Sequence, residues 1–175
     1  SRATDDSGNI QSTPASVTPS DDAPRALWVA LAATASVLLL AVTNHLTQNV
    51  AAVPLLWLAP LTIYLLSFIV TFEGRNWYSP RWYWPILIAA LAAMVGLLLD
   101  TEHHYRLWLQ LGVYLPGLFV ACVFCHGELY RLRPGPQRLT AFYLWFSAGG
   151  ALGGVFVAVV APLAFNGYYE LGIGL

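Results

Sequence analysis

The feature that most constrains this chain is a series of long apolar runs broken by short polar connections. They cover about Ala26–Leu46, Val50–Phe72, Trp82–Leu99, Arg106–Leu132 and Leu139–Phe165. Each is near the roughly 20 residues that carry an α-helix through the hydrocarbon core of a bilayer. Runs of that length leave little choice of fold. Backbone amides in lipid must be satisfied within the segment, so a helix is the expected form. The predicted fold class is all-α: a polytopic helical membrane domain with about five transmembrane helices, over residues 25–175.

The charge count fits. Only 10% of residues are charged, against about 25% in soluble domains. All eight basic residues are arginines, and the net charge is -1, which gives no reason to expect a nucleic-acid partner. Five crossings place Arg2, Arg25, Arg75, Arg81, Arg131, Arg133 and Arg138 on one side and Arg106 alone on the other. Basic connections favour the cytoplasm. The N-terminus is therefore predicted to be cytoplasmic, in a bacterial inner membrane, with residues 43–49 and 100–104 facing outward. Trp77, Tyr78, Trp82, Tyr83 and Trp84 form an interfacial belt on the cytoplasmic side in this scheme.

Residues 1–24 are rich in Ser, Thr, Asp and Pro. Such a composition offsets little ordering entropy by burial, so a tail or linker is expected there. The first residue is Ser1 and the last residues, LGIGL, continue an apolar run. The natural chain is expected to extend further.

Prolines divide the second run. Pro54 falls near its first turn, where a missing amide is tolerated, whereas Pro60 lies deeper and predicts a kink. In the third run Ala89, Ala92, Ala93 and Gly96 supply small residues at helical spacing.

Several groups are candidates for chemistry. Cys122-Val-Phe-Cys125-His126 has the spacing used for covalent haem attachment. Its place at the predicted cytoplasmic end of an apolar helix argues against haem. The same three residues share one helix face but lack an evident fourth ligand, so no cofactor or metal is expected. His126 and Glu128 are ionisable residues in a membrane helix, where such residues are costly and often functional. Two residues apart, they point to opposite faces. Glu128 is spaced to pair with Arg131 at i,i+3, and His126 to hydrogen-bond another helix. Asn44 and His45 lie in a polar cluster, Thr43–Asn49, which reads as an outward turn with Thr47 or Asn49 capping the second helix. The functional alternative is a polar lining to a cavity or a partner surface.

Gly149, Gly150, Gly153 and Gly154 place small residues at four-residue spacing on the fifth helix, a pattern that lets another helix backbone approach closely. The approaching helix belongs either to this chain or to a protein partner, and a partner on this face is the expectation carried forward.

Two separated blocks, TNHLTQNVAAVPLLWLAPLTIYLLSF and CHGELYRLRPGPQRLTAFYLWFSAGGALGG, resemble the membrane portion of bacterial spermidine-synthase-like proteins. In that family a major-facilitator-like transmembrane region is fused to an aminopropyltransferase-type domain. The resemblance covers about residues 27–170. It implies a membrane module preceding a soluble domain, and a link to polyamines. The family's glycine-rich nucleotide loop with following acidic residues is absent from this sequence, so no catalytic residue carries over and no catalytic domain is assigned. The expected function is a non-catalytic membrane domain that anchors or regulates a partner domain, or moves a small polar substrate. The alternative is an accessory subunit of a larger respiratory or photosynthetic membrane complex.

Overall fold

A computed structural model describes residues 22–49, 55–73, 79–99 and 107–160. Among them five α-helices follow one another: α1 (Asp22–Asn49), α2 (Leu58–Glu73), α3 (Pro80–Leu99), α4 (Leu107–Arg131) and α5 (Leu139–Val155). A 3₁₀ turn, Pro136–Arg138, leads into α5, and a π-helical turn, Phe156–Val160, continues it. No strand occurs among the described residues. The all-α membrane architecture expected from the apolar runs is therefore the one observed. Four segments are long and apolar enough to cross a membrane: α1, α3, α4 and the α5 region from Pro136 to Val159. The remaining apolar helix, α2, is shorter, at 16 residues.

The starts of α1 and α2 differ from expectation, and prolines account for both. α1 begins at Asp22 rather than near Ala26. Pro24 then falls in its first turn, where the amide has no intrahelical partner to lose. The rest of the expected tail lies outside the described residues. α2 begins at Leu58 rather than Val50. Pro60 is consequently in the first turn and does not kink a helix interior. Residues 55–57 form a turn in which Leu58 N–H bonds Leu55 O at 2.9 Å and Ala59 N–H bonds Leu56 O at 3.2 Å. Pro60 has no amide to offer Leu56 O, so the tighter i−3 bond from Ala59 takes that carbonyl. Leu55 has φ 69°, the left-handed region where a side chain crowds its own carbonyl, and it stops the helix from extending backwards.

The bundle is built around α4, which packs on α1, α2 and α3, while α5 packs on α1. Individual contacts fix the directions. α1 runs antiparallel to α4: Trp28 Nε1 donates to Leu132 O at 3.2 Å near one end, and the His45 ring meets Tyr114 at 4.6 Å near the other. α3 is also antiparallel to α4, since Trp84 faces Phe124 while the Tyr114 hydroxyl reaches Met94 O. α2 is parallel to α4, through Tyr64–His126 and Phe72–Tyr130. α5 is parallel to α1. Successive helices thus alternate in direction, as repeated crossings require. Arg25, Arg81, Arg131, Arg133 and Arg138, the described arginines, come together at one end; Arg2, Arg75 and Arg106 lie outside the described residues.

The core joins Leu38, Ala41, Val42 and Leu46 of α1 to Met94 of α3 and Tyr114, Leu118 and Cys122 of α4. At the arginine end, Trp28, Ala32, Leu129 and Phe142 form a second cluster. Its Trp28 and Phe142 rings meet edge to face, 5.2 Å apart.

Candidate functional site

The candidate residues of the sequence fall into four places. The most enclosed is around His126, which is fully buried on α4. Its Nδ1 lies 3.1 Å from the hydroxyl of Ser67 on α2, itself fully buried. Ser67 also donates to Tyr64 O at 2.7 Å, while Thr71 Oγ1 donates to Ser67 O one turn later. A serine hydroxyl has one hydrogen, and a carbonyl can only accept it. The Ser67 proton is therefore committed to Tyr64 O, and His126 Nδ1–H must be the donor to Ser67 Oγ. Nε2 is left as a bare acceptor, with no hydrogen-bond partner among the described residues. Such an orphaned buried acceptor costs about 1–3 kcal/mol.

Aromatic rings surround this imidazole. Tyr64 stands edge-on at 5.1 Å, Phe68 at 5.4 Å and Phe146 of α5 at 6.5 Å. Three helices thus meet at His126. The expectation of an interhelical hydrogen bond from His126 is met by Ser67. That partner was legible only as a weak signal: Ser67 and Thr71 are two hydroxyls one turn apart in an otherwise apolar helix.

Cys122 and Cys125 are free thiols buried on α4. Among the described residues no group of three His, Cys, Asp or Glu side chains is arranged to hold a metal ion. Both thiols pack among core side chains, and His126 gives this run its hydrogen bond to Ser67.

Glu128 behaves differently from His126, as their spacing requires. Its carboxylate accepts from Arg131 at 3.0 and 3.3 Å, the i,i+3 pair expected at this helix end. The pair is partly solvated, with Arg131 54% and Glu128 23% exposed. Only His126 of the two reaches the interior.

The cluster Thr43–Asn49 requires a correction. It is the last turns of α1, not a turn between helices, and neither Thr47 nor Asn49 caps α2, which begins at Leu58. The hydroxyls make this possible. Thr43 donates to Leu39 O at 2.6 Å and Thr47 to Thr43 O at 2.8 Å, spending their polarity on their own helix. His45 packs on Tyr114, and Asn44 is half-buried beside it. The structure does not bring Asn44 and His45 together with His126 and Glu128. They sit toward opposite ends of α4. Residues 100–104, the other polar run, lie outside the described residues.

The fourth place is the glycine face of α5. A Cβ added at Gly149 would lie 2.5 Å from Val29 O, and one at Gly153 would lie 2.5 Å from Ala33 O. Gly150 faces Ser36 and Gly154 faces Leu40 at looser distance. The face expected to receive a protein partner is thus occupied by α1 of the same chain. A similar approach occurs at Gly117, where an added Cβ would overlap the Met94 side chain. Pro116, just before it, removes an amide from the middle of α4.

Comparison with family models, curated proteins and solved structures finds no match to this chain.

Proposed function

We propose that this chain is a non-catalytic integral-membrane domain of the kind found in spermidine-synthase-like proteins, and that it anchors a partner domain at its arginine-bearing end. In this reading that end is cytoplasmic, the membrane is a bacterial inner membrane, and the N-terminus lies inside. The observation that carries the reading is the gathering of five described arginines at one end of a bundle whose middle is filled by its own side chains. Tyr114, Leu118, Val42, Leu46, Met94 and Cys122 occupy the space between α1, α3 and α4. A filled centre favours a rigid platform over a conduit for a small polar substrate. The glycine face is taken by α1, which supports looking for a partner's contacts at the arginine end instead.

Two measurements test this. Membrane-impermeant thiol reagents applied to intact cells are expected to label Thr47→Cys and to spare Gly135→Cys; the reverse pattern would invert the orientation and remove the cytoplasmic platform. Reconstituted vesicles are expected to take up labelled spermidine no faster than empty ones. Saturable uptake lost in His126→Leu would replace anchoring with transport.

A further inference from the structure

We infer that a water-filled recess enters the membrane beside α2 from the end away from the arginines, and that it admits small hydrophilic solutes down to the first turn of that helix. The inference needs the membrane placement of the bundle, but neither its orientation nor the anchoring role.

Register shows the depth. α2 and α4 run parallel, with Ser67 beside His126 and Phe72 beside Tyr130. Nine residues back from Ser67 and from His126, Leu58 at the start of α2 stands level with Gly117 of α4. α4 continues for ten more residues, to Leu107, about 15 Å of helix rise. At the arginine end the two helices finish together, at Glu73 and Arg131. The whole shortfall of α2 is therefore on one side.

Backbone chemistry says what meets that short end. Before Leu58 the chain is not helical: Leu55 has φ 69°, and residues 55–57 form a turn. Protein does not cover this turn. Leu55 is 64% exposed, Trp57 49% and Leu58 42%. Irregular backbone does not lie exposed in hydrocarbon, because lipid offers its amides and carbonyls no partner. Water must reach the turn. Trp57, with an apolar ring and one N–H donor, suits the boundary between water and lipid.

α1 gives the same depth independently. His45 meets Tyr114 and the two helices are antiparallel, so Gly117 falls beside Val42. The residues leading up to that level, Val37–Val42, are all apolar. Beyond it come Thr43, Asn44, His45, Thr47, Gln48 and Asn49, with Thr47 and Gln48 exposed. α1 thus turns polar where α2 begins. α3 stays apolar past the same level, to Leu99, and remains helical throughout, so lipid can cover it. The recess does not open into the bundle, since Val42, Leu46, Tyr114 and Leu118 are fully buried between α1 and α4.

The test is thiol labelling in reconstituted vesicles, with a membrane-impermeant methanethiosulfonate bearing a fixed cation present on both faces. Thr47→Cys sets the rate for a water-exposed site, and denaturation in dodecyl sulphate confirms that each thiol can react. The unaltered protein, whose two thiols are buried, is the blank. Trp57→Cys and Leu58→Cys are expected to react within about tenfold of Thr47→Cys, because the thiolate that reacts forms in water. Ala92 is exposed on α3, two residues from the Met94 that fills the notch at Gly117. Ala92→Cys, at the same depth but in lipid, should react about a hundredfold more slowly or less. All these positions are exposed, and helical content by circular dichroism should be unchanged. Labelling of Trp57→Cys and Leu58→Cys as slow as that of Ala92→Cys overturns the recess. Labelling of Ala92→Cys as fast as that of Leu58→Cys overturns its restriction to the α2 side.

Discussion

α3 and α4 are both apolar, both long enough to span a bilayer and both interrupted by a proline, yet the bundle uses them in opposite ways. In α4, 39% of the membrane window is buried inside the protein; in α3 the share is 6%. α3 touches α4 through Leu87, Met94 and Trp84 and turns Trp82, Ile88 and Leu99 outward. α4 meets helices on three sides and carries His126, Cys122, Cys125 and Gly117 into the interior. Lipid is as apolar as a protein core, so hydrophobicity cannot decide which helix becomes central. Small residues and hydrogen-bonding groups decide it. α4 has a glycine into which Met94 fits and a histidine that reaches Ser67. The alanines of α3, with Gly96, face outward, and a Cβ added at Gly96 meets nothing within 4 Å.

The largest test of this contrast uses glycines. Gly149→Leu drives a side chain into the backbone of α1 and should destabilise the bundle by about 3 kcal/mol or more, beyond ordinary overpacking. Thermal unfolding in a single detergent checks it. Gly117→Ala meets only the flexible Met94 side chain and should cost about 1 kcal/mol. Gly96→Ala on α3 should be neutral within about 0.5 kcal/mol. If the Gly96 and Gly117 substitutions cost the same, the distinction between a lipid-facing and a central helix fails.

His126→Leu should cost about 1 kcal/mol, since a single polar tether between membrane helices contributes about that much. The same residue offers a sharper observation. Nitrogen-15 shifts of the imidazole should report a proton on Nδ1 and none on Nε2, and in Ser67→Ala that preference should weaken. A protonated Nε2 in the unaltered protein would reverse the assignment of donor and acceptor. Glu128→Gln should be the mildest change on α4, below about 0.5 kcal/mol, because its pair with Arg131 is partly solvated. A larger loss would give Glu128 a role beyond closing the end of the helix.

The apolar runs, their helical form and the Glu128–Arg131 pair were legible without tertiary structure, because each depends on residues within one or a few turns. Helix ends were less so. Pro60 was legible as a disturbance but not as a first-turn residue, since the alternative conformation at Leu55 lies outside what proline spacing specifies. Thr43 and Thr47 read as part of a turn because their side-chain bonds to their own helix leave no trace in composition.

What the amino-acid order determined is the set of apolar helical segments and the end at which the described arginines collect: helices in an apolar setting must satisfy their own backbone, and charge stays at the surface. What only the packed bundle decided is which helix lies at the centre, that the α5 glycines close on α1 and that Ser67 is the partner of His126. These depend on side-chain shape and hydrogen-bond direction across sequence separations that no local pattern encodes.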